Sequence, residues 1–506
     1  MVESVRACDT DWMILALTEP QATAALLVVF GLLMAFSVLF TRALDRAGVP
    51  VVLLFLVLGM VGGSEGIGGV AFDSAEMAFR IGTIALVLIL FDGGLNTSWG
   101  SIRRSAGPAG VLATAGVAGT AGVMTLLGKA LGLSWSEAAL VGAIVSSTDA
   151  AAVFAVLRGG SLRVKERVRG TLEVESCVND PMAVILTVAM VEMVRTGGGS
   201  WWRLAVDVPV QLVIGAGVGA AVGFGSRWLL GRSRLSTAGL YPVVTLASAF
   251  LAFGLATVAS GSGFLAVFVA AVVLGHGDMP GRAGLRRVHD AIAWLCQVSM
   301  FLMLGLLVFP SQLAPVAWIG LGLGLGLALI ARPLVVSLCL LPFRWPRHEV
   351  LYVSWVGIRG AVPIILGTFP VMAGLPGAER LFHIVFFIVV VSAMVPGASI
   401  VALTRKLRLE DPAVPMPSAA LEMHSLRKMN GVVQAYYVAP SLAVCGMTLA
   451  QIRFPEGAAA ILVVRGDELV AARGATRLTA GDHVYVFCNS ADEAFIGLLF
   501  GKTMES

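Results

Sequence analysis

Long runs of apolar residues alternate with short polar connections along the first four-fifths of the chain. They fall near 21–40, 48–63, 79–95, 108–131, 137–157, 173–195, 206–230, 239–259, 262–276, 291–309, 316–340, 350–373 and 381–404. Most approach the roughly 20 residues that an α-helix needs to cross a bilayer, so the pattern predicts about 13 transmembrane helices. After Arg408 the period changes. Short β-like runs at 432–438, 459–464, 469–471 and 484–488 are separated by the turn pairs Gly466-Asp467 and Gly481-Asp482, and 491–500 predicts a closing helix. The segment around Asp411, Pro412, Pro415 and Pro417 reads as a stiff linker.

The predicted fold class is therefore a polytopic α-helical membrane protein with a small cytoplasmic α+β domain. Its expected parts are an extracytoplasmic tail (1–20), a transmembrane domain (21–405), a linker (406–420) and the terminal domain (421–506).

Composition agrees with this division. The 506 residues are 58% hydrophobic and 13% charged, with a mean hydropathy of +0.89, where a soluble protein carries about 25% charge. A soluble enzyme is excluded. The net charge of +4 is placed by topology rather than gathered into a nucleic-acid-binding surface. The six cysteines form no CxxC pair and suggest neither a disulfide framework nor a zinc site. Residues 1–20 lack the basic start and small-residue cleavage site of a signal peptide, so the first segment is expected to stay as an anchor.

Charge also orients the chain. With the N-terminus outside, the cytoplasmic connections hold Arg42 and Arg46, Arg103 and Arg104, and the cluster Arg158, Arg163, Lys165, Arg167 and Arg169. The later ones hold Arg227, Arg232 and Arg234, then Arg282, Arg286 and Arg287, then Arg344 and Arg347, and Arg405, Lys406 and Arg408. The opposite side shows mainly isolated arginines such as Arg80, Arg195, Arg203 and Arg380. The excess fits the positive-inside rule and predicts a cytoplasmic C-terminus.

A charge at bilayer depth costs at least about 2.5–3.5 kcal/mol, so each one needs a reason. Asp149 falls mid-segment in Ser146-Ser147-Thr148-Asp149-Ala150, and Glu175 and Asp180 lie in Glu175-Ser176-Cys177-Val178-Asn179-Asp180-Pro181. Arg332, Arg359 and Asp92 also lie within apolar segments. Residues four apart share a helix face, so Ser176 stacks with Asp180 and Glu175 with Asn179. The first pair makes a hard oxygen site for a small cation; in the second, Glu175 needs a positive partner such as Arg332. Asp92, beside Gly93-Gly94, suits either an additional acid or a turn, and His383 reads as packing. Thr148-Asp149 and the cluster Gly357, Gly360, Pro363 and Gly367 predict two interrupted helices, the mark of inverted-repeat transporters. Asp149 suits the positive N-terminal half-helix ends and Arg359 the negative C-terminal ends.

In this order the motifs resemble those of the monovalent cation/proton antiporters of the NhaP/NHE type. The likeness covers about 20–405. Glu175-Ser176 followed by Asn179-Asp180 is similar to the family's Glu-Ser-x-x-Asn-Asp signature, Thr148-Asp149 to its unwound helix, Gly357-Ile358-Arg359-Gly360 to its Gly-Leu-Arg-Gly element, and Phe91-Asp92-Gly93-Gly94-Leu95 to its Phe-x-Gly-Gly-Leu element. Ala150 stands where the family usually has proline; this and the run through Val184 resemble the potassium/proton branch, the cell-volume-regulation protein A type. The tail is similar to the TrkA-C domains of potassium-conductance regulators.

The resemblance implies that Asp180 takes either a cation or a proton, helped by Ser176, Thr148 and Asp149. It implies that Asn179 is held by Glu175, that Glu175 pairs with Arg332, and that Arg359 supports the site. The expected activity is exchange of K⁺ for H⁺ across the bacterial inner membrane, serving potassium, pH and cell-volume homeostasis. Because Asn179 cannot ionise, the exchange is expected to be electroneutral. Na⁺ or Li⁺ is the alternative cation. No enzymatic activity and no cofactor are expected beyond the transported ions. The implied partners are a second copy of the chain, the lipid bilayer, and a small anionic or nucleotide ligand at the tail. A tail-gated cation channel is the rival from another class, but the sequence has no carbonyl-filter element.

Overall fold

In the computed structural model the described residues are 51–70, 74–97, 99–159, 162–197, 201–232, 239–276, 282–411, 431–489 and 491–501, with positions 72 and 237 and scattered ones among 24–39. The predicted tail 1–20, most of the first apolar segment and the proline-rich part of the linker lie outside them. The chain divides into two units, one membrane-type and helical, the other containing the C-terminal sheet.

In the helical unit, α1 (Val51–Gly62) and α2 (Ala75–Asn96) are followed by α3 (Ile102–Ala130). Then come two short helices, α4 (Trp135–Ile144) and α5 (Ala150–Gly159), and the 30-residue α6 (Glu166–Arg195). Next are α7 (Trp201–Arg232), α8 (Leu240–Val258), α9 (Gly263–Gly275), α10 (Arg282–Leu306) and α11 (Pro310–Phe343). A second short pair, α12 (Arg347–Trp355) and α13 (Ala361–Met372), precedes α14 (Ala378–Lys406). Among the described residues eight helices are long and apolar enough to cross a membrane, and four shorter ones are apolar. Among the described residues, every apolar segment expected from 48–63 to 381–404 lies mainly on helix. The two expected interruptions are non-helical breaks at 145–149 and 356–360.

Local chemistry explains the boundaries. Ser134 caps α4 by accepting from the Glu137 backbone N–H, while Glu137 returns a bond to the Ser134 N–H at 2.8 Å. A wide π-type turn, Leu327–Ala331, precedes Arg332-Pro333 in α11, and another, Ala393–Gly397, contains Pro396 in α14. Proline cannot donate to the helical ladder, and a widened turn accommodates the missing bond.

Small residues let the helices approach closely. A Cβ added at Gly59 of α1 would sit 2.2 Å from the Leu302 carbonyl of α10, and one at Gly219 of α7 would sit 2.3 Å from the Ala266 carbonyl of α9. The Gly320–Gly326 run packs in the same way against Phe387 and Val391 of α14. Two buried clusters fill the unit. One surrounds Phe301, Phe55 and Phe386; the other surrounds Tyr352, Val168 and Leu340.

The second unit holds a four-stranded antiparallel sheet of order β1-β4-β2-β3, made by β1 (Val432–Tyr437), β2 (Ala459–Arg465), β3 (Glu468–Ala471) and β4 (His483–Cys488). Helix α15 (Glu493–Phe500) buries Ile496 and Phe500 against Tyr436, Val463 and Val486. The Arg465 guanidinium pairs with the fully buried Asp482 carboxylate at 2.8 Å through two nitrogens. All four expected strands and the closing helix form.

Candidate functional site

The two breaks meet. The Asp149 backbone N–H donates to the Ile358 carbonyl at 2.8 Å, joining the non-helical segment after α4 to the one before α13. Four half-helix ends are thereby gathered, and their unpaired backbone groups need charge. Arg359, with no exposure at all, turns its guanidinium to the end of α4. Its Nη1 donates to the Ser146 carbonyl at 2.8 Å and also to that of Ser147. Its own backbone N–H is held by Ser392 Oγ at 3.0 Å. Asp149 does the converse: its Oδ1 accepts the Ala152 N–H at 3.0 Å and caps α5. Its other oxygen lies against Gly360, where an added Cβ would come within 1.9 Å of Oδ2. That close approach places a carboxylate at the start of α13 and allows no side chain there.

Helix α6 runs past this crossing. Ser176 is the stitch: its hydroxyl accepts the Ala150 N–H at 3.1 Å and donates to the Thr148 carbonyl at 2.9 Å. A hydroxyl has two lone pairs, so one remains beyond these bonds. Asn179 Nδ2 donates to Thr148 Oγ1 at 2.5 Å. This corrects the expected partner: Asn179 is held by Thr148, not by Glu175, because the Glu175 carboxylate turns away to Arg332. Glu175 Oε1 and Arg332 Nη1 are 2.7 Å apart, and both side chains are almost wholly buried. Gly357 makes room for that arginine, since an added Cβ would meet Arg332 Nε at 2.4 Å. The two glycines of Gly357-Ile358-Arg359-Gly360 thus each accommodate a different charged side chain.

Asp180 is 6% exposed, its Oδ1 makes no hydrogen bond, and unlike Glu175, Arg332 and Arg359 it faces a cavity. Together with Thr148, Asp149 and Ser176 it lines a cavity of about 440 Å³. Asp92 lines the same cavity and accepts from Asn96 Nδ2 at 3.1 Å. The structure therefore brings Asp180, Ser176, Thr148, Asp149 and Asp92 to one space. Asn179, Glu175, Arg332 and Arg359 lie in the packing around the crossing, outside the cavity lining.

Several cavity residues gave little sign of themselves in the sequence. Cys177 and Ser147 sit beside recognised residues, and Gln297 is a single amide within the apolar end of α10. Arg169 and Glu173 also line the cavity, paired at 2.8 Å. Ser392 was missed because one hydroxyl in an apolar run carries no signal of its own.

The arrangement is an oxygen-rich pocket with a carboxylate that has an open acceptor. It can take a monovalent cation or a proton, but the oxygen donors around it do not suit a soft metal. Among the described residues there is no cluster of three or more His, Cys, Asp or Glu side chains arranged to hold a metal ion.

Comparison with known proteins bears on the whole chain. The sodium/hydrogen exchanger transmembrane family matches residues 31–406, and the TrkA-C domain matches 433–499. A K(+)/H(+) antiporter NhaP of Alkalimonas amylolytica is 38% identical over 483 residues, covering 95% of this chain and 84% of that protein. The K(+)/H(+) antiporter NhaP2 of Shewanella oneidensis is 38% identical over 482 residues, covering 94% and 83%. The sodium proton antiporter MjNhaP1 from Methanocaldococcus jannaschii shares the fold, with a TM-score of 0.66 at 22% identity over 76% of this chain and 99% of that one.

Proposed function

The chain belongs to the sodium/hydrogen exchanger family, and from that premise we propose that it exchanges K⁺ for H⁺ across the bacterial inner membrane through Asp180. The observation that carries this reading is the open acceptor of Asp180 on a cavity that also receives Ser176, Thr148 and Asp149. A cation and a proton compete for the same carboxylate, and each is released as the cavity is presented to one side and then the other. Ser176 and Thr148 help coordinate the ion. Asp149 and Arg359 neutralise the half-helix ends, so that the crossing persists in a low dielectric. The Glu175–Arg332 pair and Asn179 hold α6 in register with it. Asp92 supplies further negative charge at the cavity wall.

Asn179 is neutral in both states, so one proton replaces one monovalent cation and the cycle moves no net charge. The activity serves potassium, pH and cell-volume homeostasis. K⁺ is favoured by the two relatives named as K(+)/H(+) antiporters, each similar over most of the chain.

The excess of arginine in alternate connections supports a cytoplasmic C-terminus and an external N-terminus. The protein works as a homodimer, and its TrkA-C domain regulates exchange by binding a small anion, such as a nucleotide. The deciding measurement uses purified protein in liposomes, comparing proton movement driven by K⁺, Na⁺ and Li⁺ gradients. K⁺-driven movement exceeding the other two supports the reading. A K⁺ flux without proton movement points instead to a channel.

A further inference from the structure

The turn between α13 and α14 opens a second cavity of about 640 Å³. Its walls include Ser311 at the start of α11, Val371 near the end of α13, and Glu379, Arg380 and His383 of α14. Ala361 and Val362, at the other end of α13, line the cation cavity. The two spaces are thus separated by the length of that 12-residue helix, about 18 Å at 1.5 Å per residue.

His383 read in sequence as packing, yet its hydrogen bonding fits that poorly. The residue is 4% exposed. Its Nδ1 lies 2.7 Å from the Glu379 carbonyl, which can only accept, so Nδ1 carries the hydrogen. Nε2 is then a bare lone pair in the neutral ring, and it is buried without a hydrogen-bond partner. A buried acceptor left unmatched is a feature that needs a reason.

The charged groups around it come from three elements. Glu379 and Arg380 share its helix, and Arg380 Nη1 lies 3.9 Å from Glu137 Oε1 of α4. Glu65, in the loop after α1, accepts the Ser311 hydroxyl and, at 2.9 Å, the Ser311 backbone N–H. The Ser311 hydroxyl and then its N–H outweigh burial and hold the Glu65 carboxyl below the usual range, and a positive charge on His383 would be near enough to lower it further. Neither α11 nor α13 brings a titratable group to this cavity.

We propose that His383 Nε2 is a second proton-binding site, at the opposite end of α13 from the cation cavity, and that a proton there slows exchange. The inference deepens the antiporter reading and rests on it. A proton on Nε2 makes the ring a cation and a second donor, and Glu65 is the anion placed to answer it. Glu65 already clasps the start of α11, so the new charge-assisted attraction ties α14 to that loop and to α11. Helix α14 packs on α13 through Phe382, whose ring lies 3.3 Å from the place of a Cβ at Gly367. The start of α13 forms the wall beside Asp149. Fastening its far end resists the rearrangement by which the cavity changes sides.

The test uses the full chain in liposomes of known orientation, with initial K⁺/H⁺ exchange measured as pH is lowered only on the side of the α13–α14 turn. Wild-type exchange should slow by about fivefold or more, the low end of ordinary coupling between two sites. His383→Gln should remove most of that slowing while keeping the response to pH on the other side. Glu65→Gln, which leaves the imidazole in place, should require stronger acid for the same effect. Slowing of equal size in the wild type and both variants assigns the response to the transported proton and overturns the proposal.

A readout independent of transport is the ¹⁵N resonance of the imidazole that disappears in His383→Gln. It should move on acidification of the solubilised wild type, and less readily in Glu65→Gln. A resonance indifferent to pH overturns the site. One that moves in a protein without exchange upholds the site and faults the antiporter reading instead.

Discussion

The Asp149 amide hydrogen and the Ile358 carbonyl oxygen form one 2.8 Å bond between two strands of unwound chain. That bond joins residues 209 positions apart and places both half-helix ends within reach of α6. The chemistry of the site depends on this crossing and on Asp180, the carboxylate on the cavity whose Oδ1 makes no hydrogen bond.

Asp180→Asn should yield a folded, membrane-inserted protein that exchanges no cation for protons. The amide keeps the shape of the side chain but cannot alternate between holding a cation and holding a proton. Vesicle assays of K⁺-driven proton movement check this, and near-normal exchange in the variant would refute Asp180 as carrier.

Glu175→Gln and Arg332→Gln should each destabilise the protein by about 3–5 kcal/mol, because either change strands a buried charge. The two side chains are 1% and 4% exposed. The double variant should recover part of the loss. Thermal unfolding in detergent is the measurement; simple additivity of the two single effects would mean that the pair contributes nothing as a pair.

Gly360→Ala should be worse than an alanine at an ordinary helix start. Its Cβ would intrude on Asp149 Oδ2 at 1.9 Å, and the carboxylate would have to leave α13 or the crossing would have to open. Overpacking of this kind costs about 1–3 kcal/mol, and transport should fall with it. An Asp149→Ala/Gly360→Ala double variant, with the obstructing carboxylate gone, should lose less stability than the two single losses summed.

The sheet unit gives a pH-dependent prediction. Burial alone would raise the Asp482 carboxyl, but the Arg465 guanidinium and the Thr479 N–H and hydroxyl outweigh it and hold it below the usual carboxylate range. A carboxyl lowered by folding contributes stability above its unfolded value, about 3.9, and loses it as pH falls through the lower folded value. Asp482→Asn should therefore weaken hydrogen-exchange protection of β2 and β4 by about 1.5–3 kcal/mol near neutral pH, the range for bonds to a charged group. The difference from wild type should shrink below pH of about 4. A difference that is constant through that range would show that the ionised pair is not its source.

The tail should tune exchange rather than perform it. The cavity and every buried charge around it lie before Arg408. Truncation after Arg408 should preserve K⁺/H⁺ exchange while changing its dependence on pH or on added nucleotide. Loss of all exchange in a truncated protein that still inserts and dimerises would contradict that division.

Much of this architecture is written in the order of residues, because a bilayer punishes misplaced charge heavily enough to make each exception legible. Asp149, Glu175, Asp180, Arg332 and Arg359 stand out for that reason, and spacing along α6 separates the Glu175 face from the Asp180 face before any fold is known. Tertiary partners are less legible. Asn179 sits four residues from Glu175 on one helix, so local spacing suggests a bond between them, while the long-range approach of Thr148 prevails. His383 stayed hidden because an imidazole in an apolar run looks the same whether its second nitrogen is satisfied or open. Only the cavity and the loop carrying Glu65 distinguish the two.

If the amide of Asn179 next to Asp180 holds the exchange to one-for-one, as proposed, it also sets where that exchange comes to rest. With no net charge moved, the membrane voltage drops out of the balance, and the cycle stalls when the K⁺ ratio across the bilayer equals the H⁺ ratio. One pH unit corresponds to about 1.4 kcal/mol and sustains a tenfold K⁺ ratio, however strongly the cell is polarised. A cell that accumulates K⁺ while keeping its cytoplasm alkaline would therefore lose K⁺ and gain protons through such an exchanger, because both gradients drive that direction, an outflow that must be throttled whenever it is not wanted.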